Sequence, residues 1–345
     1  MQHEVTMVQR LLDSQGLISE PGWARSPLWE YDRDDIKANW LRIKEWDYYY
    51  ILSHDKNIGL SVTISDLGYI GLMAVCFLDF NTGTSVQEDS LIILPKGAVG
   101  LPPNSKDSIV EFHNKKLNIR IETSGDNRTL DITVPSMEFP NGEQGLTASL
   151  TLTRIVNDES INIATSWKEL RTAFYLNEKI TCMGASGMIS TGRKVYELSP
   201  QTDFGGLDWG RGRWTYKNRW FWGATSAMID SIPFGLNLGY GFSDRSPASE
   251  NVIFYDNKVH KLEEIRFQFD AEDYMKPWKV TSSDGRCELS FTPVVDRSSQ
   301  TKVLFLKSKQ HQVFGHFDGF VILDDKRKIQ IDHLLGFAED VFNQW

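Results

Sequence analysis

This 345-residue sequence contains few cysteines, and their number and spacing exclude several classes of protein. Cys76, Cys182 and Cys287 are far apart and never occur in C-x-x-C spacing. An odd number of widely separated cysteines argues against a disulfide framework and against a zinc knuckle. Each cysteine lies in an apolar run, so we predict three small buried side chains in a protein of the reducing cytoplasm.

Positive charge and long apolar segments are also scarce. The formal net charge is -9, whereas a nucleic-acid partner requires a basic face that neutralises phosphates. The longest apolar run, residues 67–80, is shorter than the roughly 20 residues that span a bilayer. The N-terminus lacks the basic and apolar regions of a signal peptide. We therefore expect a soluble, cytoplasmic protein with no nucleic-acid partner and no integral membrane segment.

Motifs of cofactor and metal chemistry are missing. The sequence has no Walker loop, no G-x-G-x-x-G that opens a helix after a strand, no H-E-x-x-H and no G-x-S-x-G. Its histidines are scattered, and an odd separation would place the close pair His311 and His316 on opposite faces of a strand. We predict that the protein uses no cofactor and no metal site.

A strand pattern dominates the chain from Trp46 onward. Segments rich in β-branched and aromatic residues recur about every ten residues, between turn sequences such as Asn141-Gly142. No intervening helix is long enough for a parallel crossover, so the sheets should be antiparallel and curled to protect their edges. We predict a mainly β protein with two consecutive antiparallel β-barrels or strongly curved sheets. The first would cover residues 1–235, and a smaller second one residues 236–345.

Short helices are expected at both ends of the chain. Apolar residues recur with helical spacing over residues 4–13 and again over residues 32–44, where Asp32 or Asp34 would cap the helix. Residues 333–345 carry several apolar side chains that a closing helix could bury. The predicted barrels thus have N-terminal and C-terminal helical additions.

The candidate site lies in the stretch 202–241, where tryptophans alternate with charged residues and glycines. Aromatic rings and paired charges are suited to the wall of a concave binding site. The catalytic candidates are Asp208, Arg211 and Tyr216. The candidates for ligand binding are Trp209, Arg213, Trp214, Trp220, Trp222, Asn237, Glu250 and Asn251. The tryptophans could instead fill the protein core or form an exposed platform for carbohydrate.

Asp208 permits two interpretations. In an apolar cavity walled by tryptophans, burial would favour its protonated form, and Asp208 could deliver a proton to a bound molecule. As a buried partner of Arg211 or Arg213, it would remain charged and hold the end of the barrel together. Glycines at positions 205, 206, 210 and 212 allow bulges that reset the register, so the sequence leaves both interpretations open.

Several long motifs resemble a mainly bacterial family designated Domain of Unknown Function 2804. They include FGGLDWGRGRWTYKNRWFWGATS, FGLNLGYGF, ENVIFYDNKVHKLEEIRF and HQVFGHFDG. More remotely, the chain is similar to two-barrel, lipocalin-like proteins of the calycin type, which include AttH-like proteins and carotenoid hydratases. That resemblance implies chemistry without a cofactor, using an acid in an apolar cavity. Asp208-Trp209-Gly210 matches the acid and Trp-Gly of their motif, whereas their other acid falls on Gly206.

The predicted function is binding of a hydrophobic or amphipathic small molecule, lipid-like or isoprenoid-like, in a tryptophan-lined cavity. Cofactor-free acid–base chemistry of the hydratase, lyase or isomerase type is the hypothesis for catalysis. A non-catalytic lipid carrier and a carbohydrate-binding or carbohydrate-processing protein are the alternatives. The sequence leaves the oligomeric state open.

Overall fold

Two curled antiparallel sheets form almost the whole of the computed structural model, which describes residues 2–155, 158–303 and 306–345. The strands up to the middle of the chain are β1 (Gln9–Arg10), β2 (Gly22–Ala24), β3 (Trp29–Glu30), β4 (Ile43–Ser53), β5 (Ile58–Asp66), β6 (Ile70–Asp79), β7 (Thr84–Ile93), β8 (Ser108–His113), β9 (Asn118–Ser124), β10 (Asn127–Glu138), β11 (Gln144–Thr153) and β12 (Ile161–Trp167). The remaining strands are β13 (Leu170–Thr191), β14 (Lys194–Leu198), β15 (Asp203–Arg213), β16 (Lys217–Ile229), β17 (Ile232–Tyr240), β18 (Val252–Tyr255), β19 (Lys258–Lys261), β20 (Ile265–Gln268), β21 (Trp278–Ser282), β22 (Cys287–Val303), β23 (Leu306–Ile322) and β24 (Lys328–Gln344).

The order of the strands divides the chain at the loop after Arg213. The first sheet has the order β7-β6-β5-β4-β15-β13-β11-β10-β9-β8, with β12 and β14 also paired to β13, and β2 to β12. The second sheet has the order β19-β18-β17-β16-β24-β23-β22-β21-β20 and begins at Lys217. A small parallel pair of β1 and β3 completes the fold. The division into domains at residues 235 and 236 stays a prediction.

Each sheet curls around its own apolar core, because side chains alternate between its two faces. On β4, Tyr49 and Ile51 belong to the core of the first sheet. Their neighbours Tyr48 and Tyr50 point the other way, into a cluster that also contains Phe337 of the second sheet. The outer faces of the two sheets therefore pack against each other, and the region between them has residues from both halves of the chain.

The N-terminal helix predicted over residues 4–13 is wrong, since this segment runs extended beside residues 22–30. The Val5 amide donates to the Trp23 carbonyl at 2.8 Å, and the Leu11 amide donates to the Glu30 carbonyl at 3.0 Å. Val8, which a helix would bury, is 65% exposed. Pairing with a neighbouring extended segment satisfies the backbone and replaces the local helical preference.

The helix predicted over residues 32–44 is also wrong, because two short 3-10 helices, Arg33–Asp35 and Trp40–Arg42, occupy the segment. The capping role of Asp32 is confirmed, as its side chain accepts a hydrogen bond from the Asp34 amide. The chain after the second 3-10 helix continues directly into β4, and the Trp214 amide donates to the Arg42 carbonyl at 2.9 Å.

The C-terminal helix predicted over residues 333–345 is wrong as well, because most of this segment is the second half of β24. The strand lies between β16 and β23, and both of its faces are buried. Leu335 and Phe337 pack between the sheets, while Ala338 belongs to the core of the second sheet. A strand buried on both faces has no alternation of apolar and polar residues, so its pattern resembles a buried helix.

The predicted burial of the cysteines is confirmed: Cys76, Cys182 and Cys287 are buried free thiols. Within the described part of the chain, the model contains no helix long and apolar enough to cross a membrane.

Candidate functional site

A cavity of about 870 Å³ lies between the outer faces of the two sheets. Strands β4 to β7, β13 and β15 provide one wall, and β16 with β22 to β24 provide the other. Its volume falls within the usual range of small-molecule sites, roughly 300–1,000 Å³. The lining includes Leu91 and Ile93, which are 58% and 81% exposed, so the cavity opens to solvent beside β7.

Aromatic side chains dominate the inner end of the cavity. The Trp214 ring is central, with ring centroids of Tyr175, Trp46 and Trp220 at 5.2, 5.6 and 5.7 Å. Further rings of this end are Trp222, Phe242 and Trp345. These contacts, mostly edge to face, hold the rings in fixed orientations and leave ring faces available to a ligand.

The glycines of β15 make room for the rings of β4. Gly206 pairs with Tyr50 across the two strands, and Gly210 pairs with Trp46. A Cβ atom at Gly210 would lie 2.2 Å from Trp46 Cε2, and one at Gly206 would lie 2.2 Å from Tyr50 Cζ. Only glycine at these positions allows the rings to lie over the strand, with Asp208 between them on the same face.

Asp208 forms an ion pair with a lysine rather than with an arginine. Lys179 lies directly opposite on β13, and its Nζ is 2.8 Å from Asp208 Oδ2. The same ammonium lies 3.8 Å from the centroid of the Trp222 ring and 3.9 Å from Glu250 Oε2. The other carboxylate oxygen, Asp208 Oδ1, is buried without a hydrogen-bond partner. Asp208 thus has one oxygen in an ion pair and one oxygen enclosed by protein atoms.

Glu250 joins this charged group from the segment before β18. Its Oε2 accepts a hydrogen bond of 2.6 Å from Asn177 Nδ2. Burial raises the pKa of the Glu250 carboxyl, while the positive charge of Lys179 opposes this shift and the negative charge of Asp208 adds to it. Asn237 holds the surrounding backbone, because it donates to the Glu250 carbonyl and accepts from Trp222 Nε1 at 2.8 Å.

Glu339 of β24 is a third buried carboxyl on the opposite wall. Its Oε1 accepts from Trp220 Nε1 at 2.9 Å, and its Oε2 accepts from Gln312 Nε2 at 3.2 Å. Burial raises the pKa of Glu339 to about 7, against the Trp220 hydrogen bond and the charge of Lys179, which both lower it. A carboxyl with this pKa can donate or accept a proton near neutral pH.

A polar row continues from Glu339 towards the open side of the cavity. Glu339, Gln312 and Arg297 lie opposite one another on β24, β23 and β22. Arg297 Nη1 donates to Gln312 Oε1 at 2.8 Å, and Arg297 Nε donates to Gln87 Oε1 at 2.7 Å. Tyr48 also donates to Gln312 Oε1, at 3.1 Å. Both sheets contribute to this row, which links the two walls.

The sequence interpretation did not single out Lys179 or Glu339. Lys179 lies in a different strand from the tryptophan-rich stretch, and Glu339 lies in the segment that was assigned to a helix. An alternating strand pattern would have placed Glu339 on the same face as Phe337 and Val341, which are both buried. For Lys179 the sequence offers no clear signal, because the residue directly follows Asn177 and Glu178 and looks like part of a polar step.

Five of the predicted site residues line the cavity: Asp208, Trp214, Trp220, Trp222 and Glu250. Trp209 and Arg211 lie on the opposite face of β15, towards the core of the first sheet. Trp209 belongs to that core, and Arg211 Nη1 lies 2.9 Å from Asp47 Oδ1. The fully buried Arg211 also donates to the Trp46 and Pro102 carbonyls. Pairing of Asp208 with Arg211 is therefore wrong.

The other predicted residues lie around the site without lining the cavity. Arg213 is partly buried, and its Nη1 is 3.4 Å from the Lys37 carbonyl. Tyr216 is 39% exposed in the loop between the sheets, beneath the Arg42 guanidinium. Asn251 accepts from the Gly239 amide and donates to the Glu263 carbonyl. Their functional roles stay predictions.

Among the described residues, no group of three or more histidine, cysteine, aspartate or glutamate side chains could hold a metal ion. The histidines considered in the sequence have other partners. His311 lies 3.7 Å from the Tyr274 ring and 2.8 Å from Asp296 Oδ2, while His316 stacks on His333.

These features define an antiparallel two-sheet protein with a polar group inside an aromatic cavity. The chain belongs to the family described as "Domain of unknown function (DUF2804)", whose model matches residues 2–345. No curated protein sequence matches the chain.

Solved structures share the fold at low sequence identity. CghA, solved with Sch210972, is 10% identical, with 88% of this chain and 89% of that chain covered and a TM-score of 0.54. A Nitrosomonas europaea protein, NE1406, described as an AttH candidate, is 12% identical, with 90% and 95% covered and a TM-score of 0.49. Kievitone hydratase from Nectria haematococca is 12% identical, with 88% of each chain covered and a TM-score of 0.46. The similarity to CghA concerns the fold alone, and the other two are too weak to support a conclusion.

Proposed function

We propose that the protein binds a hydrophobic or amphipathic small molecule in the cavity between its two sheets. The observation that carries this proposal is the cavity of about 870 Å³, which aromatic rings line together with the charged side chains of Asp208, Lys179 and Glu250.

The distribution of side chains along the cavity supports an amphipathic ligand. The inner end combines rings with the charged group of Asp208, Lys179 and Glu250. The open side of the cavity, beside β6 and β7, has the apolar side chains Leu72, Leu91 and Ile93. A ligand with one polar end and an apolar body satisfies both regions. The similar fold of CghA, which was solved with the small molecule Sch210972, is consistent with this proposal.

Cofactor-free acid–base chemistry on the bound molecule is the second candidate function. It is favoured by the environment of Glu339, whose pKa is raised to about 7 by burial on the wall facing Lys179 and Asp208. A positioned acid or base contributes roughly 10²–10⁴-fold to a rate. Reactions of the hydratase, lyase or isomerase type require proton transfer of this kind. The lipocalin-like description of the sheets and the cytoplasmic location remain predictions.

Native mass spectrometry of the freshly purified protein tests the binding proposal. We expect a discrete adduct that solvent extraction releases as an amphipathic molecule. The matched variant is Trp222→Ala, which removes a ring from the inner end and should reduce retention of the adduct. A carrier of known lipid, taken through the same procedure, is the positive control. An apo mass for the wild-type protein, together with no binding of added amphiphiles, would contradict the proposal.

The catalytic candidate is tested with the extracted molecule once it is identified. Asp208→Asn and Glu339→Gln each remove one ionisable group, and at least one of them should reduce turnover by about 10²-fold or more. Unchanged turnover in both variants would show that neither carboxyl is the acid or base, and no turnover by the wild-type protein would leave a carrier as the function of the cavity.

A further inference from the structure

We infer that the polar end of the ligand carries a positive charge, so that the cavity takes an organic ammonium compound with an apolar body. This inference rests on the proposed binding function and names the chemical class of its ligand. It is carried by the balance of buried carboxyl and ammonium groups at the inner end and by the aromatic rings that line the cavity beside them.

Buried carboxyl groups outnumber cations at the inner end of the cavity. Asp208, Glu250 and Glu339 are each at most 7% exposed, and Lys179 is the one buried ammonium among the described lining residues. Its Nζ contacts Asp208 Oδ2 and lies near Glu250 Oε2. Glu339 is held instead by the neutral donors Trp220 and Gln312.

Cations outside the inner end have other partners. Arg297 donates hydrogen bonds to Gln87 and Gln312. Gln312 lies between Arg297 and Glu339, because it also donates to the Glu339 carboxyl. Lys261 lies behind Glu250, outside the lining, and its Nζ contacts the Ser249 carbonyl. Burial lowers the pKa of Lys261 to about 7, which limits its positive charge near neutrality. An additional cation in the cavity would therefore lie among three buried carboxyl groups and one ammonium group, and its charge would favour the ionised form of Glu339.

Lys179 provides an internal example of how this site holds an ammonium group. Its Nζ is bound jointly by the Trp222 ring face, at 3.8 Å from the centroid, and by Asp208 Oδ2 at 2.8 Å. Glu339 lines the cavity in a similar setting without an ammonium partner, because it lies opposite Trp222 across the strands and accepts a hydrogen bond from Trp220. Ring faces and a carboxylate together favour an ammonium ion over a neutral or anionic group.

An anionic ligand end is disfavoured by the same arrangement. It would have to displace or share Lys179, which is already engaged by two carboxylates, and it would lie close to Asp208 Oδ1. Like charges at this distance in a buried site repel strongly because water does not screen them. A neutral end can accept a hydrogen bond but gains no charge–charge attraction.

The test is isothermal titration calorimetry with three probes of equal chain length: octyltrimethylammonium, octyl sulfate and octanol, each below its micellar concentration. We expect the ammonium probe to bind the full-length wild-type protein about tenfold or more tightly than either other probe. Asp208→Asn should weaken the ammonium probe about tenfold and change octanol by less than about twofold.

Two further variants guard against misfolding and non-specific charge effects. Glu339→Gln keeps the size of the side chain and should weaken ammonium binding in the same direction. Glu197→Gln removes a charge from an exposed position on β14, outside the lining of the cavity, and it should leave all affinities within about twofold. Equal or tighter binding of octanol or octyl sulfate would overturn this inference and leave the proposed function intact. No binding of any probe would overturn both.

Discussion

Asp208 and Glu339 face the same cavity, but different partners hold them. Asp208 is paired with Lys179, with 2.8 Å between Asp208 Oδ2 and Lys179 Nζ. Glu339 accepts two hydrogen bonds from neutral donors, and burial raises its pKa to about 7. The site therefore combines an ion pair with a separate carboxyl that titrates near neutrality.

The raised pKa of Glu339 predicts how stability depends on pH. The folded protein keeps a proton on this carboxyl between about pH 4.5, its ordinary value, and pH 7, whereas the unfolded chain loses it. The wild-type free energy of unfolding should therefore fall as the pH rises through this window. Glu339→Gln cannot ionise, so its stability relative to the wild type should increase by up to about 3 kcal/mol between pH 4.5 and pH 8.

Urea denaturation of both proteins at several pH values in this range measures the effect. The groups that act on Glu339 are Lys179, Asp208 and Arg297 by charge, and Trp220 by its hydrogen bond. All of them are unchanged in the variant. The exposed substitution Asp89→Asn should leave the pH dependence within about 0.5 kcal/mol of wild type. Parallel pH profiles for wild type and Glu339→Gln would show that the carboxyl is not destabilised by burial.

The partner of Asp208 illustrates which part of the site the sequence could predict. Asp208 itself was singled out because of its neighbours in the tryptophan-rich stretch. Arg211 and Arg213 are at odd separations from it, and β15 runs against β4 without a register shift, so both arginines face away from Asp208. Lys179 becomes its partner only through the pairing of β13 with β15, which no local pattern specifies.

At the scale of elements, β4 and β15 form a matched pair. Rings on β4 lie over glycines on β15, so that the glycine positions set the depth of the cavity wall. The sequence shows the glycines and the aromatic residues, but it does not show that Gly210 meets Trp46, because these residues are far apart in the chain. Strand β24 was predicted as a helix for a related reason. Its second half is buried on both faces, so the alternation of apolar and polar residues that identifies a strand is missing.

Gly210→Ala should displace the Trp46 ring and destabilise the protein. Its new Cβ atom would lie 2.2 Å from Trp46 Cε2 and 2.3 Å from Cζ2, and overpacking of this kind costs about 1–3 kcal/mol. The rigid indole is packed against Tyr175 and Trp214, so it cannot move without disturbing them. Urea denaturation and intrinsic tryptophan fluorescence measure the two effects.

Gly71→Ala on β6 is the matched control for this prediction. Its new Cβ atom would meet its nearest neighbour, Val99 Cγ2, at 3.2 Å, which a small shift can relieve. We expect a loss of stability below that of Gly210→Ala and little change in fluorescence. If Gly210→Ala were as stable as Gly71→Ala, the close approach of Trp46 to β15 would be wrong.

At the scale of the whole molecule, the candidate site lies between two sheets that each have their own core. Strand spacing and turn sequences predicted the antiparallel architecture and the curled sheets. They could not predict the cavity, because it is built from outer faces whose residues, such as Tyr48 and Glu339, lie almost at opposite ends of the chain. The contact between the sheets is a tertiary property that local periodicity does not encode.

The most direct test of the account is an anomalous-scattering map of crystals grown with a bromine-labelled amphiphile that the titrations show to bind. We expect the bromine signal between the two sheets, with the polar end of the molecule beside the carboxyl groups of Asp208 and Glu339 and the apolar body directed towards Leu91 and Ile93. A bound molecule located only on the outer surface, with the space between the sheets unoccupied at saturating concentration, would contradict it.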